Sequence, residues 1–283
     1  MSLQEISKSL FCRGMIVDHY LFRYMTALRL RSQSLKAGEY EIESGSSMSQ
    51  IAEKMMYGKT LMRSISFPEG FTVRQIFQRL KENPFLVGDL PVDAMPLEGT
   101  LCPNTYRFSL GTRRIDIVEQ AILEQKKLID EIWKNRDIDN PILNKEDFVI
   151  LASIVEKETS RFDERPRIAS VFINRLAKSI RLQADSTVFY GLIEEKEQLS
   201  DRKLYRSDLS KKTPYNSYLL EGLPPTAISN PSRLSLESVA HPLKTNDLYF
   251  VSDGLGGHLF SENLKDHNIN VQKLRQMSSK EKK

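Results

Sequence analysis

The chain has 283 residues, 28% charged and 40% hydrophobic, an ordinary globular balance with room for two domains. Its net charge of +4 comes without the dense basic stripe and interleaved aromatics expected of a nucleic-acid binder. Cys12 and Cys102 form no CxxC pair and the four histidines show no HExxH spacing, so neither a metal site nor another cofactor is expected.

Residues 4–31 carry apolar positions at helical intervals, with Gly14 as a break, and predict one or two helices. Residues 35–45 alternate briefly like a strand and end in a turn. A helix capped by Ser47 runs to Met56, a strand covers Thr60 to Phe67, and Thr72 caps a helix from Val73 to Lys81. This order makes a small α+β module over residues 1–82. Pro84, Pro91 and Pro96 mark a linker, after which residues 83–275 form a second, helix-rich domain with a few short strands. Residues 276–283 read as a frayed tail. No apolar run reaches the roughly 18 residues of a membrane span. Two buried thiols are at least as compatible with the sequence as a disulfide.

The second domain begins with a long amphipathic helix over about residues 115–135. Asn144 then caps the run Phe148-Val-Ile-Leu-Ala-Ser-Ile-Val-Glu-Lys-Glu-Thr159, around which the domain is organised. With Leu151 as origin and about 100° per residue, Val155 lies at about 40°, Phe148 at about 60° and Ile154 at about −60°. Glu158 falls at about −20°, inside the apolar arc, and Glu156 at its edge at about 140°. Ser153 and Lys157 land on the opposite side. A carboxyl held in that arc loses solvation, keeps its proton nearer neutrality and suits a general acid. The alternative is that Glu158 lies beyond the last turn and reaches water.

A further helix is expected from Glu164 to Ala177, then a polar turn at Leu182 leading into a helix or strand, then a variable loop over 192–212. A helix from Ser235 to Ala240, a strand from Leu248 to Ser252, a turn at Asp253–Gly257 and a return strand His258–Phe260 close the domain. His258 and His267 are expected to tie down this hairpin. There is no GxSxG elbow, and the glycines at 254–257 follow a late strand outside any βαβ unit. The remaining chemistry is that of carboxylates. Glu158 and Asp185 could be the two groups of a glycoside hydrolase. Glu156 cannot join Glu158, because residues two apart on a helix diverge by about 160°. Asp185 could instead cap the segment that follows it.

Ser153-Ile-Val-Glu-Lys-Glu-Thr159, Val171-Phe-Ile-Asn-Arg-Leu176, Leu182-Gln-Ala-Asp-Ser-Thr-Val188, Tyr215-Asn216, Gly222-Leu-Pro-Pro225 and Tyr249-Phe-Val-Ser-Asp-Gly254, with Gly257-His258 and His267-Asn268, together resemble the YceG/MltG family of bacterial endolytic murein transglycosylases. Leu97-Glu-Gly99 and Pro103-Asn-Thr-Tyr106 fit the block before its catalytic domain, and residues 35–82 resemble its LysM-like portion. The resemblance implies cleavage of the β-1,4 bond between N-acetylmuramic acid and N-acetylglucosamine in nascent glycan strands, leaving a 1,6-anhydro end. It places the catalytic carboxyl at Glu158, as the angular argument does. Asn174, Arg175, Gln183, Asp185, Thr187, Tyr215 and Asn216 become candidates for gripping sugars or bracing the Glu158 helix. Ser186 stands where the family usually has proline, Thr226-Ala227 replaces a common Gly-Pro, Thr100 and Cys102 replace aromatic or hydrophobic residues, and Asn104 replaces an acid. Family members carry an N-terminal membrane-spanning helix, so the chain is expected to be the periplasmic part of a single-pass inner-membrane protein. Peptidoglycan is the implied partner, with cell-wall synthases as further candidates. A true hydrolase using Glu158 and Asp185, and a peptidoglycan-binding protein without activity, are the competing readings.

Overall fold

A computed structural model describes residues 2–29, 35–36, 38–58, 60–195 and 203–280. The protein is mixed and helix-rich, with ten α-helices and four short strands among the described residues. It divides into two compact units. One comprises residues 1–65, 84–87 and 106–113, and the other residues 66–83, 88–105 and 114–283.

In the first unit, α1 (Leu3–Cys12) starts at a capping box in which Ser2 and Glu5 satisfy each other's backbone N–H groups. Helix α2 (His19–Arg29) follows the break at Gly14, and α3 (Met48–Tyr57) has the same box between Ser47 and Gln50. Leu10, Ile16, Phe22, Ile51, Ala52, Met55 and Met56 form the core of this unit. The strand expected over 35–45 is absent among its described residues, Ala37 lying outside them. Tyr40 and Ile42 pack on the helical core, while the Tyr40 hydroxyl donates to the carbonyls of Lys36 and Met55. The alternation therefore records one side chain in two lying on helices, not a ladder. Strand β1 (Arg63–Ser66) is shorter than its sequence signal and pairs with β2 (Thr105–Phe108). Neither cysteine is in a disulfide; Cys12 is exposed, contrary to the expectation of two buried thiols, and Cys102 packs half-buried on the larger core.

The second unit includes α4 (Val73–Glu82), capped by Thr72 and Gln75. Arg114 closes its C-terminus by donating to the carbonyls of Leu80, Lys81 and Asn83. Arg114 also opens α5 (Arg114–Lys134). Helix α6 (Lys145–Glu158), capped by Asn144, forms the centre: Phe148, Leu151, Ala152, Ile154 and Val155 are wholly buried. It packs against α5, α7 (Arg165–Ala177), α8 (Asp185–Glu195) and α9 (Arg233–Ala240). Ser153, placed by periodicity on a polar side, is buried as well. Its hydroxyl donates to the Ile150 carbonyl and accepts from the Ile228 N–H, docking the 228–230 segment on α6. A helix enclosed on nearly all sides no longer has a polar face to read.

Asn230 in that segment joins several loops. Its side chain accepts from the Leu101 N–H and donates to the Phe71 carbonyl. Gly99 beside it has φ +84°, and a Cβ there would lie 2.6 Å from Val149 Cγ1, so close approach demands glycine. Strands β3 (Tyr249–Ser252) and β4 (His258–Ser261) pair antiparallel with Phe250 opposite Phe260. The last helix, α10 (Leu264–Lys280), extends past residue 276, where the sequence suggests a tail; residues 281–283 lie outside the described ones. The loop expected over 192–212 begins inside α8, contains a 3-10 turn at Arg206–Ser210, and has 196–202 outside the described residues.

Candidate active site

Glu158 is the last residue of α6, with Thr159 already in extended conformation as its C-cap. Its side chain keeps partial solvent access, although the two residues N-terminal of Lys157 are buried. Both alternatives for this residue are thus partly realised: it ends the helix, yet the surrounding protein strips water from its carboxyl. That burial raises its pKa above the usual carboxylate value. The Ser186 hydroxyl opposes the rise by donating to Oε1 at 2.7 Å, the negative charge of Asp185 adds to it, and His258, when protonated, lowers it. The C-terminal end of a helix adds no compensating positive potential. The arrangement is a carboxyl whose neutral form is favoured by burial while its side chain stays partly exposed.

Glu156, two residues earlier, is committed elsewhere. Its Oε1 accepts from Arg165 Nη2 at 3.0 Å, and Oε2 accepts from the Ser232 backbone N–H at 2.8 Å and the Ser232 hydroxyl at 2.5 Å. Arg165 donates in turn to the Ser232 hydroxyl. This buried pair fastens α7 and α9 to α6 and leaves no carboxylate oxygen idle. The two glutamates thus divide, as their spacing requires, into one enclosed by protein partners and one facing outward.

Asp185 opens α8 and is exposed, its Oδ1 accepting from the Tyr218 hydroxyl at 2.7 Å. Burial and this bond to Asp185 push the Tyr218 phenol up, so it remains a donor. Gln183 is exposed with φ +51°, a conformation rare outside glycine and held by the Ser217 carbonyl accepting from its N–H. Asp185, Ser186 and Tyr218 therefore connect to Glu158 along one short chain of contacts, with the exposed Gln183 two residues before Asp185.

The remaining sequence candidates point inward. Thr187 is buried, donating to the Ala184 carbonyl and bonded to Ser217 Oγ. Asn216 is buried, its amide donating to the carbonyls of Leu209 and Lys211. The half-buried Asn174 holds the carbonyls of Thr245 and Asp247. Arg175 is buried and donates to the carbonyls of Leu248, Arg181 and Leu182, which joins β3 to the turn preceding α8. Tyr215 is partly buried, its hydroxyl meeting Thr226 Oγ1 at 2.9 Å and its ring lying edge-on to Tyr190.

Sequence reasoning misses Ser186, Tyr218 and His258 as members of this group. Ser186 is visible as a departure from proline, but its hydroxyl finds a partner 28 positions away. A second carboxyl, Glu98, is raised to about 8 by burial, although both of its oxygens accept from the Val73 N–H at the start of α4. A surface hollow lined by Phe162, Pro166, Leu234 and His241 contains none of the residues grouped with Glu158. Among the described residues no cluster of His, Cys, Asp and Glu could hold a metal ion, and no helix is long and apolar enough to cross a membrane.

The profile of the YceG-like family matches residues 1–273. A Bacillus subtilis protein named endolytic murein transglycosylase is 29% identical over the whole chain and 84% of its own length. A Streptococcus pneumoniae protein of the same name is 26% identical, with 95% of this chain aligned to 56% of the relative, so the chain spans about half of that longer protein. The crystal structure of a yceG-like protein from Listeria monocytogenes superposes with a TM-score of 0.58 at 31% identity, covering 94% of this chain and 95% of that one.

Proposed function

The chain belongs to the YceG-like family, and from that premise we propose that it is an endolytic lytic transglycosylase of peptidoglycan with Glu158 as its general acid and base. The observation that carries the reading is the position of Glu158 at the partly open end of a buried helix, where the surrounding protein pushes its carboxyl pKa up. In the protonated state it donates to the glycosidic oxygen as the bond from C1 of N-acetylmuramic acid breaks. The resulting carboxylate then takes the proton of the sugar's 6-hydroxyl while that oxygen closes on C1. No water enters, one carboxyl serves both steps, and the proton count returns to its start.

The accessible groups Gln183, Asp185 and Tyr218 line the approach and supply donors and acceptors for acetamido and hydroxyl groups. Asn174, Arg175, Thr187, Tyr215 and Asn216 act through the loops they hold. In this reading residues 35–82, as a LysM-like segment, would add a glycan grip, and the enzyme would act at the periplasmic face of the inner membrane beside cell-wall synthases. A hydrolase is the second reading, because the charge of Asp185 acts on Glu158. Incubation with purified glycan strands separates them. Anhydro ends, lighter than reducing ends by one water, support the transglycosylase; reducing ends would replace it with the Glu158/Asp185 hydrolase, and uncut strands that remain bound would leave a binding protein.

A further inference from the structure

His258 opens β4 and is clamped by one residue. Glu164, at the N-cap of α7, accepts from the His258 backbone N–H through Oε1 at 3.1 Å and bonds ring Nδ1 through Oε2 at 2.7 Å. The preceding Gly257 has no room for a side chain: a Cβ would lie 2.7 Å from Glu164 Oε1 and 2.8 Å from Asp253 Oδ2. Phe250 meets the imidazole edge-on at 5.4 Å, and Phe260 lies tilted at 6.4 Å. The ring is thus fixed in position and rotation. A carboxylate at Nδ1 makes that nitrogen the N–H, which leaves Nε2 as an acceptor in the neutral ring and a donor in the cation. Nε2 has no hydrogen-bond partner among the described residues and is not among the buried atoms lacking one, so it faces solvent.

The fixation exceeds what tying down a hairpin requires. The Glu164 bond to the His258 backbone already anchors β4, and Asp253 separately closes the turn by accepting from the N–H groups of Leu255 and Gly257. The additional bond to Nδ1 orients an imidazole whose other nitrogen is left open, on a residue near enough to Glu158 to act on its carboxyl. Carboxylate–imidazole pairs of this kind prepare a ring for a ligand at its far nitrogen.

We propose that His258, oriented by Glu164, is a second substrate-contacting group of the Glu158 site, the Nε2 of its neutral ring accepting a hydrogen bond from the sugar hydroxyl that closes on C1. The inference rests on the transglycosylase reading. No proton is transferred to the ring; the bond aims the hydroxyl oxygen, and Glu158 takes its proton. Charged groups around the pair are Glu158 at the end of α6, Arg161 before α7 and Asp253 in the hairpin.

The test compares His258→Asn with His258→Gln in the full chain, using purified glycan strands and mass-resolved ends. The asparagine amide occupies the place of Nδ1 and keeps the bond to Glu164, whereas glutamine extends to the place of Nε2. The expected result is a fall in kcat of about tenfold to a hundredfold for His258→Asn, with KM and thermal midpoint close to wild type, and partial recovery in His258→Gln. Wild-type kcat in a folded His258→Asn would overturn the proposal, since holding Glu164 would then be the whole role. If His258→Asn does not fold, His258→Gln and His258→Ala decide: kcat largely kept in His258→Gln but lost in His258→Ala supports the proposal, and equal kcat in the two contradicts it. Failure of the underlying reading shows separately, as reducing ends or no cleavage by the wild type.

Discussion

The Ser186 hydroxyl donates to Glu158 Oε1 at 2.7 Å, joining the first turn of α8 to the last residue of α6. A hydroxyl donor favours the charged carboxylate, so this bond restrains the rise that burial imposes on Glu158. In Ser186→Ala the pKa of Glu158 should rise further. In the proposed mechanism the acid works protonated, so activity should be lost as pH climbs through its folded pKa. The alkaline limb of the pH–rate profile of Ser186→Ala is therefore expected at higher pH than in wild type, with the rate on the acid side within about threefold.

A raised carboxyl pKa also has a stability signature. The folded state holds the Glu158 proton where the unfolded chain has released it, so stability falls as pH rises from the ordinary value of 4.5 through the folded pKa. Glu158→Gln removes the cost of ionising the group. Thermal unfolding should give a higher midpoint for Glu158→Gln than for wild type at neutral and mildly alkaline pH, and equal midpoints near pH 4.

Glu98 offers a second and better bounded test. Its pKa moves from 4.5 to about 8, with burial the main cause and the charge of Glu194 adding to it. By the same sign, its contribution to stability declines between pH 4.5 and about 8. Glu98→Gln keeps an acceptor for the Val73 N–H, so its advantage over wild type should grow across that window and level off above it. Equal midpoints at pH 5 and pH 9 would show that the carboxyl is solvated.

Glu156 should behave in the opposite way to Glu158. Removing one partner of a buried ion pair leaves the other charge stranded and costs about 3–5 kcal/mol. Arg165 would keep Glu69 at 3.7 Å, a contact with an exposed partner. Glu156→Ala should therefore lower the denaturant midpoint sharply, whereas Glu158→Gln should leave the fold intact.

The contrast between these two glutamates marks how far the sequence can be read. Periodicity identifies α6, Asn144 identifies its start, and the apolar arc draws Glu158 out from the other carboxylates. The same arithmetic sets Glu156 at an edge, because it cannot include Arg165 arriving from α7 to bury it. Ser153 is misplaced for a similar reason: its partners at 228–229 are some 75 positions away. Capping boxes are legible at Ser47 and Thr72 because their chemistry lies within four residues. The alternating stretch at 35–45 misleads, since burial of every second residue against helices has the same signature as a half-buried strand. The α10 helix escapes notice behind a polar sequence with little amphipathic contrast. Ser186, Tyr218 and His258 become visible only when folding sets Ser186 on Glu158, Tyr218 on Asp185 and His258 on Glu164.

The central claim is that one carboxyl performs both proton transfers. Its most direct test is digestion of purified glycan strands by wild type and Glu158→Gln side by side, read by mass spectrometry of the new ends. The expected result is 1,6-anhydro ends from wild type and no new ends from the folded variant. Cleavage by Glu158→Gln at a rate near wild type would contradict it and move the chemistry to another group.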